Sequence, residues 1–106
     1  MCGMTPTTND ISDAELEETY VSNLRYAADR LEREGVMTLV EPLNSHFHPG
    51  YWMSDPAQAH RIVRQVAHQN LKLQLDVFHA QMSGGDLSHR IKDWAADIGH
   101  VQIAQV

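Results

Sequence analysis

The sequence predicts an α/β fold in which parallel strands alternate with single helices. Apolar residues recur with helical spacing in three segments, and each of these segments is followed by a short apolar run of strand length. Strands that alternate with helices in this way form β-α-β units, and such units build parallel sheets. The 106 residues contain no internal repeat and no low-complexity linker, so we expect one domain over residues 1–106.

The first helix is predicted to begin at Ser12, because Ser12 and Glu15 have the spacing of a capping box. Its buried face is predicted from five apolar positions that recur every three or four residues: Leu16, Tyr20, Leu24, Ala27 and Leu31. Gly35 is a natural stop for this helix. Residues 36–40 have the length of a strand, and Pro42, which cannot donate to a ladder, marks its end.

The second β/α unit follows a loop that is rich in His, Pro and Gly. The sequence Ser54-Asp55-Pro56 offers an N-cap and then a proline in the first helical turn. The predicted apolar face of this second helix consists of Ala59, Ile62, Val63 and Val66. Residues 71–78 alternate with period two and predict a second strand.

A third helix is predicted after the loop at residues 83–85, with Asp86 or Ser88 as its cap. Its apolar positions are Ile91, Trp94, Ala95 and Ile98, which places Trp94 in the core. Gly99 is predicted to end the helix, and the final residues are predicted to form a third strand. Three histidines with polar neighbours are predicted to lie on the surface: His60, His68 and His89.

The composition argues against several classes of protein. A hydrophobic content of 42% with 21% charged residues is ordinary for a folded protein. A net charge of −6 without a Lys/Arg cluster disfavours binding to nucleic acid or to an anionic membrane. No apolar run approaches the roughly 20 residues of a membrane span, and the first ten residues lack the pattern of a signal peptide. Because the single Cys2 cannot form an internal disulfide, we expect a reducing, cytoplasmic environment.

Polar residues follow each predicted strand at its carboxyl end. Glu41 and Asn44 follow the first strand, Asp76 and His79 the second, and Gln102 lies in the third. In a β/α barrel, side chains from the carboxyl ends of several strands converge on one face, where catalysis takes place. Carboxylate and amide oxygens are hard ligands, so this pattern indicates a site for Mg²⁺ or Mn²⁺.

Three segments resemble, in order and spacing, the signatures of the hydroxypyruvate isomerases. They are VEPLN at residues 40–44, LQLDVFHAQ at 73–81 and GHVQIAQV at 99–106. That family is similar to the wider xylose isomerase-like TIM barrels, which include ketose 3-epimerases and 2-oxo-tetronate isomerases. The resemblance covers nearly the whole chain from Glu15 onwards.

The resemblance implies an eight-stranded barrel, which takes about 250 residues. This chain would supply three to four of the eight strands, with Met1-Cys2-Gly3 as the remnant of one strand. The apolar run at residues 100–106, which has no turn or polar tail after it, fits the same expectation of an incomplete barrel.

The resemblance also implies the metal ligands. Glu41 would bind the divalent metal and serve as an acid/base, Asp76 would be the second ligand, and Gln102 the third. The family's fourth ligand is a second catalytic glutamate, and this chain has no counterpart to it. The activity of the 106 residues alone is therefore expected to be incomplete.

The expected substrate contacts come from the same comparison. His79 would hydrogen-bond substrate oxygens, and Asn44 and His46 are also expected to bind the substrate. His46 stands where isomerases of this type often place Arg. It would be only partly charged at neutral pH, which weakens its hold on a substrate carboxylate.

The implied activity is a metal-dependent isomerisation that interconverts hydroxypyruvate and 2-hydroxy-3-oxopropanoate through an enediolate. Two alternatives stay open. One is a related isomerase or epimerase with another small hydroxy-oxo acid or sugar as substrate, although Gln102 stands where the epimerases carry His. The other is a non-catalytic half-barrel that associates with a partner chain, or with its own copies, through open sheet edges.

Overall fold

The computed structural model describes Gly3 and residues 10–104. Within these residues the helices are α1 (Asp13–Arg33), α2 (Pro56–Val66), α3 (Val77–Met82) and α4 (Leu87–Trp94), followed by a short 3₁₀ helix (Ala95–Asp97). The strands are β1 (Thr38–Val40), β2 (Leu71–Asp76) and β3 (Ile98–Gln102). Apart from Gly3, the predicted strand remnant at residues 1–3 lies outside the described residues.

The three strands form one parallel sheet in the order β1-β2-β3. Val40 pairs with Leu73 between β1 and β2, and Asp76 pairs with Gln102 between β2 and β3. The strands are joined through helices, as in consecutive units of a β/α barrel. The predicted α/β fold class is confirmed.

The core lies between one face of the sheet and helices α1 and α2. Its fully enclosed side chains come from α1, α2, β1, β2 and the loop before α2: Leu24, Ala28, Val40, Met53, Ala59, Ile62 and Leu73. Full burial of a Leu or Ile side chain contributes about 1.5–3 kcal/mol. Helices α1 and α2 therefore hold β1 and β2 firmly, while β3 contacts this core through the partly buried Ile98.

The start of α1 is the capping box that the sequence predicts. The Ser12 hydroxyl accepts a hydrogen bond from the Glu15 backbone N–H over 3.2 Å, and the Glu15 carboxylate accepts one from the Ser12 backbone N–H over 2.8 Å. The hydrogen bond from the Ser12 backbone lowers the pKa of Glu15. The helix ends before Gly35, whose φ of 69° is the left-handed conformation expected after a helix.

The buried face of α1 differs in part from the prediction. Tyr20 and Leu24 are buried as expected, but Val21 and Ala28 complete the face, while Ala27 and Leu31 are only partly buried. Helix α2 lies against α1, and its Arg61 pairs with Glu17 on α1 over 2.7 Å.

Strand β2 is shorter than predicted, because Asp76 ends it and caps α3. The backbone at Val77 and Phe78 is helical, although these residues continue the apolar run of the strand. The predicted strand at residues 71–78 is therefore two residues too long, and α3 was not predicted.

The third β/α unit also differs from the prediction. Helix α4 has no buried residue, and Trp94 lies partly buried at the margin of the core. His60, predicted to lie on the surface, stacks on Trp94 with ring centroids 4.7 Å apart, and its side chain is only 16% exposed. Gly99 does not end the helix. It lies within β3, at an irregularity between the pairs of Leu73 with Ile98 and of Gln74 with His100.

The second face of the sheet carries the polar side chains. Alternation along β2 places Lys72, Gln74 and Asp76 on this face, and pairing brings His100 and Gln102 of β3 beside them. In a closed barrel this is the inner face. In the described part of the chain, no helix combines the length and the apolar character that would let it cross a membrane.

Candidate functional site

Glu41 and Asp76 lie side by side at the carboxyl ends of β1 and β2. Glu41 comes directly after the last residue of β1, and Asp76 is the last residue of β2. Because these neighbouring strands are parallel, both carboxylates reach the same edge of the sheet. Each of the residues Glu41, Asp76 and His79 has one ligand atom within 4.8 Å of those of the other two.

Asp76 is held in place by the helix that it begins. Its Oδ1 accepts a hydrogen bond from the backbone N–H of Phe78 over 2.8 Å, which makes Asp76 the N-cap of α3. The residue is only 6% exposed. A carboxylate in such a position is costly unless charge or hydrogen bonds compensate it.

Lys and Arg side chains of the described residues do not supply this compensation. Among the described residues, no Lys or Arg forms a salt bridge with Glu41 or Asp76. Two neighbouring carboxylates without a cationic partner form a donor set of hard oxygens. The chemistry of the site therefore fits a divalent cation.

Gln102 reaches the same face through strand pairing. It is the partner of Asp76 in the register of β2 and β3, and its Oε1 accepts a hydrogen bond from Nε2 of Gln74 over 3.0 Å. An amide oxygen has a second lone pair, so this contact leaves Oε1 able to bind a cation. Gln74 was not among the predicted site residues, although its position two residues before Asp76 on an alternating strand puts it on the same face.

His79 and Asn44 form a close pair beside the carboxylates. Nδ1 of His79 accepts a hydrogen bond from the Asn44 backbone N–H over 3.2 Å, and the Asn44 side-chain Nδ2 lies 2.7 Å from the same atom. Asn44 is 1% exposed, and its Oδ1 accepts a hydrogen bond from the Phe47 backbone N–H. Both ends of the Asn44 amide are therefore engaged by the protein, which the sequence alone did not indicate.

His46 lies outside the cluster of Glu41, Asp76 and His79. It is exposed, and its ring meets Phe47 edge-on with centroids 5.1 Å apart. Phe47 in turn contacts Phe78, the residue before His79, with ring centroids 5.5 Å apart. These ring contacts join the β1–α2 loop to the start of α3, where Phe78 meets His79 with ring centroids 5.2 Å apart.

An open cleft of about 460 Å³ lies next to Glu41 on the inner face of the sheet. Leu43 and Tyr51 line it from the β1–α2 loop, and Gln74 lines it from β2. The cleft provides room beside one of the two carboxylates for a small polar molecule.

The comparisons with known proteins agree with the three sequence signatures. The sequence model of the xylose isomerase-like TIM barrel family matches residues 3–106. A Xenopus laevis protein with the provisional name hydroxypyruvate isomerase is 46% identical over 89% of this chain and 34% of its own length. The hydroxypyruvate isomerase of Escherichia coli (strain K12) is 38% identical over 98% of this chain and 40% of its own length. A 2-oxo-tetronate isomerase from Cupriavidus necator is 38% identical over 100% of this chain and 40% of its own length.

Solved structures show the same fold. A Brucella melitensis crystal structure described as an AP endonuclease of family 2 superposes with a TM-score of 0.88 at 41% identity, over 97% of this chain and 40% of that chain. A crystal structure of IOLI protein with a bound zinc atom superposes with a TM-score of 0.77 at 26% identity, over 93% of this chain and 34% of that chain.

The matches cover most of this chain but only part of the length of each relative. The chain spans 34–40% of the length of these curated relatives, and its three parallel strands correspond to part of a barrel. The resemblance seen in the segments at residues 40–44, 73–81 and 99–106 is confirmed. The chain belongs to the xylose isomerase-like TIM barrel family.

Proposed function

We propose that this chain carries three metal ligands of an isomerase that interconverts hydroxypyruvate and 2-hydroxy-3-oxopropanoate. Residues 1–106 would form one partial barrel domain, with Glu41, Asp76 and Gln102 as ligands of Mg²⁺ or Mn²⁺. The convergence of Glu41 and Asp76 at neighbouring strand ends, without a Lys or Arg salt bridge among the described residues, carries this proposal. The hydroxypyruvate isomerase of Escherichia coli, 38% identical over nearly the whole chain, supports the choice of reaction.

The reaction moves one proton between adjacent carbons. A proton leaves C3 of hydroxypyruvate, which gives an enediolate, and a proton is then added at C2. The hydroxyl group on O3 loses its proton and O2 gains one, so that substrate and product have the same atoms. A bound divalent ion would stabilise the negative charge that develops on the two substrate oxygens.

The residues of this chain would move and orient the protons. A carboxylate oxygen of Glu41 would remove or return one of the carbon-bound protons. A well-placed general acid or base increases the rate about 10²–10⁴-fold. His79, partly buried beside Glu41, would form a hydrogen bond with a substrate oxygen.

This chain supplies one half of the acid/base pair. The second catalytic glutamate implied by the family has no counterpart in the sequence. We therefore propose that the complete site needs a further β/α unit, and that the 106 residues alone turn over hydroxypyruvate poorly.

The proposal can be tested in a complete barrel. In a chimera, this chain would replace the matching segment of the Escherichia coli enzyme, which covers 40% of that protein. We expect Mn²⁺-dependent turnover of hydroxypyruvate, reduced about 10²–10⁴-fold by Glu41→Gln. Asp76→Asn should raise the Mn²⁺ concentration needed for half-maximal turnover. Since Asn is also a good N-cap, the variant should keep the start of α3.

Matched controls remove the same charge elsewhere. Glu18→Gln on α1 and Asp93→Asn on α4 alter exposed residues and should leave turnover unchanged. Unaltered turnover in Glu41→Gln, with circular dichroism showing a folded chimera, would overturn the proposal.

The nearest alternative substrate is 2-oxo-tetronate. The Cupriavidus necator 2-oxo-tetronate isomerase matches 100% of this chain at 38% identity, equal to the identity of the Escherichia coli hydroxypyruvate isomerase. The value of kcat/KM for the two substrates in the same chimera decides between them. A higher value for 2-oxo-tetronate would assign the chain to that reaction.

A non-catalytic half-barrel is the alternative from another class. It is favoured by the exposure of β3, where Val101 is 48% exposed and Ile103, just beyond the strand, is 82% exposed. Light scattering and Mn²⁺ titration of the 106-residue chain distinguish the two classes. An assembly of defined mass that binds no Mn²⁺ would favour the half-barrel.

A further inference from the structure

The hydrogen bonds of Asn44 determine which ring nitrogen of His79 carries a hydrogen. The Asn44 backbone N–H can only donate, so Nδ1 of His79, 3.2 Å away, must accept. A neutral imidazole whose Nδ1 accepts a hydrogen bond carries its hydrogen on Nε2.

The side chain of Asn44 enforces the same arrangement. Its Oδ1 accepts a hydrogen bond from the Phe47 backbone N–H over 3.1 Å, and this contact fixes the orientation of the amide. The NH₂ group therefore faces His79, with Nδ2 2.7 Å from Nδ1. Since Asn44 is 1% exposed, water does not compete for either end of the amide.

We propose that Asn44 is a positioning residue that fixes the Nε2–H form of His79, so that His79 is a hydrogen-bond donor and not a metal ligand. The role of that donor rests on the proposed isomerase function. Because His79 lies beside Glu41 and Asp76, the two carboxylates could bind the ion while the imidazole N–H donates a hydrogen bond to the substrate. Asn44 would thus act on the substrate through His79 and not by direct contact.

The choice of ring nitrogen has a direct chemical consequence. Negative charge develops on the substrate oxygens as the proton leaves carbon, and an N–H directed at such an oxygen stabilises it. A bare nitrogen at the same position would repel that oxygen. Loss of a single donor of this kind typically lowers kcat by about 10²–10³-fold.

The substitution Asn44→Asp tests this inference with the smallest change available. It replaces the NH₂ group that faces Nδ1 by an oxygen, while the other oxygen can still accept from Phe47. A carboxylate oxygen at 2.7 Å can only accept, so it favours a hydrogen on Nδ1 and competes there with the longer, 3.2 Å hydrogen bond from the Asn44 backbone N–H. Asn23→Asp, an exposed change on α1, is the matched control.

The primary measurement is the ¹⁵N spectrum of the histidine rings in the full chain. The signals of His79 are identified as those that are absent from the spectrum of His79→Gln. We expect hydrogen on Nε2 in the unaltered chain and in Asn23→Asp, a shift towards Nδ1 in Asn44→Asp, and no ligation shift of His79 with added Mg²⁺. Hydrogen on Nδ1 of the unaltered chain, or ligation of His79 by Mg²⁺, would overturn the inference.

Kinetics of the chimera give the second readout. We expect Asn44→Asp to lower kcat about 10–100-fold, the usual effect of losing an orienting partner, with little change in KM. An unchanged kcat in a variant whose ring hydrogen has moved would overturn the positioning role. Because the spectrum requires no turnover, a failure of the proposed isomerase activity is distinguishable from a failure of this inference.

Discussion

Gln74 donates the hydrogen on its side-chain Nε2 to Oε1 of Gln102 over 3.0 Å, across the pair formed by β2 and β3. Gln102 lies on a strand whose residues 99–102 are all exposed, so its side chain has little packing to orient it. The bond from Gln74 therefore limits the rotation of the amide that we propose as the third ligand. This relationship links the central strand, which is well buried, to the most exposed part of the site.

The first prediction concerns this hydrogen bond. We expect Gln74→Leu to weaken Mn²⁺ binding about 10–100-fold, because partners behind a ligand usually contribute to that extent. Isothermal titration of the chimera with Mn²⁺ measures the change. Gln65→Leu, on the exposed side of α2, is the control. Equal affinities for Gln74→Leu and the unaltered chimera would show that Gln102 needs no orientation by Gln74.

The second prediction concerns the close approach at Gly99. A Cβ at this position would lie 2.6 Å from Cβ of Lys72 and 2.8 Å from Sδ of Met37. We expect Gly99→Ala to displace β3 and to lower the free energy of unfolding by about 1–3 kcal/mol. Gly35→Ala meets no atom within 4 Å and should cost only the strain of its left-handed backbone, about 1 kcal/mol. Urea unfolding of both variants compares the two losses, and a larger loss for Gly35→Ala would contradict the prediction.

The third prediction concerns pH and Asp97. Nε2 of His60 lies 2.8 Å from the Asp97 carboxylate, and Nη1 of Arg64 lies 3.3 Å from it. The hydrogen bond from His60 lowers the pKa of Asp97 the most, and the charges of His60 and Arg64 lower it further against the effect of burial. Because the pKa of Asp97 is lowered in the folded state, its carboxylate stabilises the fold fully at pH values above the ordinary aspartate pKa of about 3.9. This stabilisation is lost as the pH falls through the lower pKa of the folded state.

We therefore expect Asp97→Asn to reduce the free energy of unfolding by about 1 kcal/mol at neutral pH. The difference from the unaltered chain should shrink as the pH falls below about 4. Urea titrations across this range measure it, and Asp93→Asn is the control because Asp93 is exposed. A difference that stays constant into the acid range would exclude the ion pair as its cause.

The fourth prediction concerns metal and stability. Since Glu41 and Asp76 lie close together without a Lys or Arg salt bridge among the described residues, a divalent ion should stabilise the folded state. Ligand at about 100 times its Kd adds about 2.7 kcal/mol of stability. We expect Mn²⁺ to raise the Tm of the chimera, chelation to reverse the change, and Asp76→Asn to reduce it. A Tm that is independent of Mn²⁺ would exclude this use of the two carboxylates.

The sequence predicted the parts of the fold that depend on local patterns. The capping box at Ser12, the β/α alternation and the proximity of Glu41 and Asp76 all follow from spacing and from the geometry of parallel strands. The start of α3 was missed because Val77 and Phe78 are good strand residues. The hydrogen bond between Asp76 and the Phe78 N–H overrides their propensity.

Other features depend on contacts between distant residues. The pair of Asn44 and His79 joins positions 35 residues apart, and no local pattern indicates that the Asn44 amide lies behind the imidazole. The place of Trp94 at the margin of the core likewise depends on how α4 lies against its neighbours. The helical stripe that contains Trp94 shows only which residues share a face.

The side chain of Asp76 has two roles, and this restricts which substitutions the position can accept during evolution. One of its oxygens begins α3, and the carboxyl group as a whole lies within the candidate metal site. A substitution by an apolar residue would remove a helix start and a ligand in the same step. Of the uncharged residues, Asn is the one of matching shape that keeps the helix start, so a descendant that abandons metal chemistry can retain this fold most readily through Asn at position 76.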